Sequence, residues 1–267
     1  MRRKVLSLIL TVALMLSMSV APAFAVGRVV PVADSAGLTA ALLDLQDGDQ
    51  IVLGAGVFDV GATLLGVEAL GLTGWTLPVT ANNVVIRGAG AEATVITSSA
   101  DSIPDEGPSS TFAAVFGDSV AIEDLTLVPK NRVSDVMTVF GSGFTLQRVD
   151  ILVNDAMGYE WSGRINIVPP MGDAGMTVLQ DVFVEAGSVV SGALSAGSVT
   201  LERIEVDNRY QMDGTWEYAP PFDFTLAAPD IVTSLGGLTA RVSDAPSGLA
   251  SNVVAKTPDH SLVELSS

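Results

Sequence analysis

One arrangement of apolar and polar positions occurs four times along the chain. Val120–Leu127 reads VAIEDLTL, Phe144–Val153 reads FTLQRVDILV, Met176–Val184 reads MTVLQDVFV and Val199–Val206 reads VTLERIEV. Each copy is an apolar alternating triplet, a polar pair, and a second apolar alternating triplet. Aligned on Leu125, Val149, Val182 and Ile204, the copies step by 24, 33 and 22 residues. A repeat of that size marks stacked supersecondary units. The period of two breaks at each polar pair, so both triplets face inward only if the chain bends there. Val120 and Ile122 then point inward, Glu123-Asp124 makes a corner, and Leu125 and Leu127 point inward again. The equivalent corners are Gln147-Arg148, Gln180-Asp181 and Glu202-Arg203.

A solenoid coil of this kind needs three short parallel strands joined by loops of variable length. The third strand is predicted ahead of each constant piece, at Thr76–Val79, Thr111–Phe116, Val136–Phe140, Ile165–Val168 and Phe222–Leu226. A poorer one, interrupted by Gly192, is predicted at Val189–Leu194. The variable segments Thr97–Ser110, Pro129–Asp135, Asn154–Gly163, Glu185–Ser188 and Asp207–Pro221 all leave after the constant piece. Equivalent corners stack, so these loops are expected to line one flank. A single helix is predicted over Asp34–Gln46. Asp34 or Ser35 caps it, Leu38, Ala41, Leu42 and Leu45 share one face, and Asp47-Gly48-Asp49 ends it.

After the helix come GDQIVL (Gly48–Leu53), GVF (Gly56–Phe58) and NNVVIRGAG (Asn82–Gly90). This order resembles the opening of right-handed parallel β-helix proteins of the pectin-lyase-like superfamily, and the resemblance runs from about Asp34 to Asp207. It implies an all-β fold, a right-handed parallel β-helix with a short N-terminal capping helix. The catalytic motifs of two branches were sought. Polygalacturonase-like members carry N-T-D, D-D, G-H-G and R-I-K. This chain has no adjacent Asp pair and no G-H-G, and Gly163-Arg164-Ile165-Asn166 has Asn where R-I-K has Lys. Pectate-lyase-like members use a calcium cluster of acids with a catalytic Arg or Lys. The basic residues expected on the flank are Lys130, Arg132, Arg164 and Arg209, with no acidic cluster in register with them.

The chain's start reads as an address. Arg2, Arg3 and Lys4 precede the apolar run Val5–Val20 and the small-x-small site Ala23-Phe24-Ala25, which predicts a signal peptide over 1–25. The expected domain is 26–267: helix 34–46, coils 47–228, and irregular final coils and cap over 229–267. Nothing after the leader is apolar for long enough to span a bilayer. Without the leader, thirty acidic residues face ten basic ones, a net charge of about −20. Such a surface repels nucleic acid and anionic lipid. With no cysteine and one histidine, His260, neither a disulfide framework nor a zinc enzyme is expected.

The candidate chemistry lies in two loops, which hold all three tyrosines and two of the three tryptophans. One is Tyr159-Glu160-Trp161. The other contains Arg209, Tyr210, Trp216, Glu217 and Tyr218. Aromatic faces stack on sugar rings, and neighbouring polar groups bond the hydroxyls. The competing reading is that these rings pack each loop onto the coil wall. The groove floor is expected to be the outward residues of the third strands: Thr138, Arg164, Asn166 and Asp223. Arg164 beside Asp223 is the weak catalytic candidate, able to hold a uronate carboxylate or polarise a sugar. A solvated surface pair is the plainer explanation. Asp101, Asp105 and Glu106 are weak calcium candidates whose spacing matches no EF-hand. No cofactor is assigned, and calcium is kept open.

These observations favour a secreted or cell-surface monomer that binds a polysaccharide or cell-wall glycan through stacked loops. The alternatives are a polysaccharide lyase or glycoside hydrolase acting on an acidic polysaccharide, and a non-catalytic structural surface protein.

Overall fold

The corners bend the chain where the alternation breaks. The computed structural model describes residues 27–60, 77–98, 111–129, 135–152, 163–207, 209–212, 215–218, 222–226, 232–236, 239–240, 253–256 and 262–265. Asp124, Arg148, Asp181 and Arg203 have φ of 57, 54, 54 and 52°, the left-handed region that turns a strand within two residues. Strand Ala121–Pro129 passes through its corner. It pairs with Val85–Arg87 before the bend and with Thr94–Ser98 after it.

The coils stack in register. Leu125 pairs with Val149, Val149 with Val182, and Val182 with Ile204, all in one column. A second inward column runs Ile51, Ile86, Ile122, Leu146, Leu179, Leu201. A third runs Phe58, Ile96, Leu127, Ile151, Val184, Val206. Their side chains are almost wholly removed from water and form one continuous core. Each coil therefore buries its apolar face only against its neighbours.

The strands form a bent sheet of eleven strands, folded along the corners, and a flank sheet of eight. In chain order the flank sheet contains Leu77–Val79, Thr111–Val115, Asp135–Val139, Ile165–Ile167, Val189–Leu194, Phe222–Leu226, Val253–Lys256 and Leu262–Leu265. All are parallel except the last, which turns back antiparallel on Val253–Lys256. The interruption expected at Gly192 is a register shift between Ser191 and Ala193. At the turn from the flank sheet back to the bent sheet the coils nearly touch. A Cβ on Gly141 would sit 2.0 Å from the carbonyl oxygen of Gly117, so only glycine fits.

The helix spans Ser35–Leu43, three residues short of the expected end, and buries Leu38, Ala41 and Leu42. Asp34 is the N-cap, accepting from the Gly37 N–H at 2.8 Å. The Ser35 hydroxyl instead accepts from the Asp59 N–H at 2.8 Å, tying the helix to the first coil. Strand Val29–Val32 precedes the helix and was not anticipated, because VVPV has no alternation and contains Pro31. It lies at the sheet's first edge beside Gln50–Leu53, where a missing N–H is tolerated.

The second corner residue alternates in charge up the stack: Asp124, Arg148, Asp181, Arg203. Arg148 grips Asp124 with Nε at 2.5 Å and Nη2 at 2.9 Å, and Arg203 grips Asp181 at the same two distances. These pairs are solvent-facing and individually worth little. Alternation still matters, because like charges one strand spacing apart would repel. Gln147 and Gln180 bond across the neighbouring corner position at 2.9 Å.

Candidate functional site

The flank strands keep one register from coil to coil. Ala113, Met137, Ile165, Val189 and Phe222 form the inward column. One residue further along each strand, Ala114, Thr138, Asn166, Val190 and Asp223 share the next register position. Thr138, Asn166 and Asp223 thus stand in the column expected for the groove floor. Ile165 and Ile167 are buried while Asn166 and Arg164 are half-buried.

Arg164 has a partner that the sequence reading did not name. Its Nε donates to Oδ1 of Asp135, at the start of the adjacent strand. Asp223 stands two strands from Asn166, with Val190 between, a backbone separation of about 10 Å. Asp135 is 5 % exposed, as is Thr138, and Thr111 is 3 % exposed. The Thr138 hydroxyl donates to Asp135 Oδ2 at 3.4 Å, a long contact, and lies 2.9 Å from the Thr111 hydroxyl. A hydroxyl has one proton, so Thr111 donates to Thr138 when Thr138 donates to Asp135. The result is a buried polar relay Thr111–Thr138–Asp135–Arg164 where the strands enter the flank sheet. Burying an acid there is tolerable because a cation and a hydroxyl both serve it.

Asp135 and Thr111 were not among the sequence candidates. The available signal was an acid one coil ahead of Arg164, and the variable insertion between them concealed it. The ends of the insertions do stack. Strands Thr111–Val115, Asp135–Val139, Ile165–Ile167, Val189–Leu194 and Phe222–Leu226 enter the flank sheet from the same edge. Within the segment before Phe222 lies an antiparallel ribbon, Arg209–Met212 with Thr215–Tyr218. Gln211 pairs with Trp216 and Arg209 with Tyr218, while Tyr210 pairs with Glu217. Tyr159, Glu160, Trp161, Asp101, Asp105 and Glu106 lie outside the described residues.

A second concavity, of about 550 Å³, lies outside the first half of the bent sheet, with Gln50, Val85, Ala121, Thr145 and Met176 among its lining. The sequence reading did not propose it, although the outward middle residues of the triplets, Ala121 and Thr145, are unusually small. Two of its polar lining residues, Asp118 and Ser142, belong to a turn-to-turn ladder. Asn82 donates to Asp47, Asp118 to Asn82, and Ser142 to Asp118. The groove's lining holds no cation, whereas the relay joins a buried acid to an arginine, so the relay is the stronger functional candidate.

The carboxyl held above its ordinary range is elsewhere too. Asp150, on the outward side of the bent sheet, is pushed up by burial and then by the negative charge of Glu92. Among the described residues no group of three or more acids or histidines is placed to hold a metal ion. Nor is any helix among them long and apolar enough to cross a membrane.

No protein-family profile matches the chain, and no curated protein does. Among solved structures, a pectin methylesterase mutant in complex with a hexasaccharide is similar over 83 % of this chain and 89 % of its own, with 10 % identity and a TM-score of 0.37. The fold rests instead on the stacked parallel registers. The protein is a parallel β-helix. Its bent sheet supplies two of the three strands of a coil, and its flank sheet supplies the third together with the relay.

Proposed function

We propose that this β-helix is a secreted carbohydrate-binding protein. Its ligand chain lies along the outer side of the flank sheet, between the segments 154–163 and 207–221. The observation that carries the reading is the sheltered relay from Thr111 to Arg164 at the end where the strands enter the flank sheet. It gathers an acid, a cation and two hydroxyls from neighbouring coils, the mixture of donors and acceptors that a polar binding floor uses. Asn166 and Asp223 extend that floor along the stacking axis. The aromatic residues Tyr159, Trp161, Tyr210, Trp216 and Tyr218, with Glu160 and Arg209, supply the walls in this proposal. They bring ring faces for sugars and hydrogen-bonding groups for hydroxyls.

The test is retention of purified protein in gels containing polysaccharide. Trp161→Ala and Trp216→Ala are expected to weaken retention about tenfold each, the loss typical of a buried aromatic anchor. The melting temperature should move by only a degree or two. Full retention in both variants, or loss of fold in both, would reject the binding role of these aromatics.

A further inference from the structure

We infer that the site takes an uncharged, hydroxyl-rich polysaccharide and discriminates against polyuronates. This rests on the carbohydrate-binding reading above and names its ligand class. Arg164 is the side chain that would attract a sugar carboxylate, but its guanidinium is already bound to Asp135. Asp135 is buried and also engages Thr138. A uronate at Arg164 would arrive beside that fixed carboxylate. The relay is therefore neutral as a unit, one positive charge against one negative.

The surroundings bias the site the same way. The register position of Asn166 continues through Val190 to Asp223 and Val254, and Val254 is paired with Glu264. The formal charges this column carries are acidic. Lys256, the cation that the flank sheet's own strands carry, stands three strands from Ile165–Ile167, about 14 Å along the stack. The whole chain has a net charge of −17 at pH 7, so its long-range field repels a polyanion as it approaches. Hydroxyls and amides suit a neutral chain, since Thr138 and Asn166 can both donate and accept.

The experiment compares binding of the full chain to neutral chains (hydroxyethyl cellulose, xylan, galactomannan) and to polygalacturonate and alginate. It is run at about 20 mM and about 200 mM salt, where screening differs severalfold. At least one neutral chain should bind with little change between the two salts, and the polyuronates should bind at least about tenfold more weakly. Asp135→Asn keeps an acceptor for Thr138 but uncovers the Arg164 charge. It should shift the ratio of polyuronate to neutral affinity about tenfold toward polyuronate, most strongly at low salt. Wild-type protein that prefers polyuronate, with affinity falling as salt rises, overturns this inference and leaves the carbohydrate reading standing. Binding to neither class overturns both. If Asp135→Asn does not fold, the wild-type comparison still decides.

Discussion

Arg28→Ala removes the partner of the most deeply buried carboxylate at the start of the solenoid. Asp49 is 1 % exposed. It accepts from Arg28 Nε at 3.1 Å and Nη2 at 2.7 Å, and from the Gln46 N–H at 2.9 Å. The same guanidinium reaches the Asp44 carboxylate at 2.7 Å and its carbonyl at 2.6 Å, just past the helix. The two ion pairs are unequal. The Asp44 side chain is 70 % exposed, so that pair contributes well under about 1 kcal/mol. Stranding a buried charge costs about 3–5 kcal/mol. The Gln46 N–H stays in place and the vacated arginine path admits water, which brings the expected loss to about 2–3 kcal/mol. Urea midpoints measured across pH would test both size and sign. Arg28 is the largest influence holding the Asp49 carboxyl below its ordinary value of 3.8. In the wild type this stabilisation is complete above the ordinary carboxylate range and is lost as pH falls through the depressed folded value. In Arg28→Ala burial acts unopposed by the guanidinium, so the deficit should be greatest near neutrality and shrink as Asp49 protonates. Arg28→Lys should recover only part, since an ammonium cannot span both acids with a planar fork. A deficit below about 1 kcal/mol at neutral pH, or one that does not change on acidification, would refute the reasoning.

Two further outcomes are expected. Leu125→Ala empties a fully buried position in the column it shares with Val149 and should cost about 3–4 kcal/mol, read as a lower urea midpoint with unchanged binding specificity. Asp150→Asn should stabilise the protein near neutral pH. Because the folded carboxyl is raised, the native state is penalised while Asp150 is charged, and the penalty vanishes as pH falls through that raised value. A melting temperature unchanged or lowered at neutral pH, or a gain that persists in acid, would contradict this assignment.

Much of the β-helix was legible from local rules. Alternation of apolar residues defined the strands, and the break at Glu123-Asp124 and its equivalents located the corners. The common inward register then followed, because apolar residues spaced by two can be hidden only on one side. The cap at Asp34 was legible for the same kind of reason, since an acid three residues before a free N–H satisfies it within one turn.

What the tertiary structure decided were the contacts between coils. Arg164 was visible as an outward cation, but its pairing with Asp135 depends on which strands are neighbours. That depends on coil spacing, while insertions of unequal length separate the residues in the chain. The alternation of Asp124, Arg148, Asp181 and Arg203 was present in the sequence, yet its meaning appears only when the corners stack one strand spacing apart. The same holds for Gly141, which is required only because Gly117 lies directly against it. The antiparallel return of Leu262–Leu265 on Val253–Lys256 follows from the free edge that the last parallel strand leaves, a property of the finished stack. Local sterics and hydrophobicity wrote the coil into the sequence, and the backbone pairing of one coil with the next chose which polar side chains would meet.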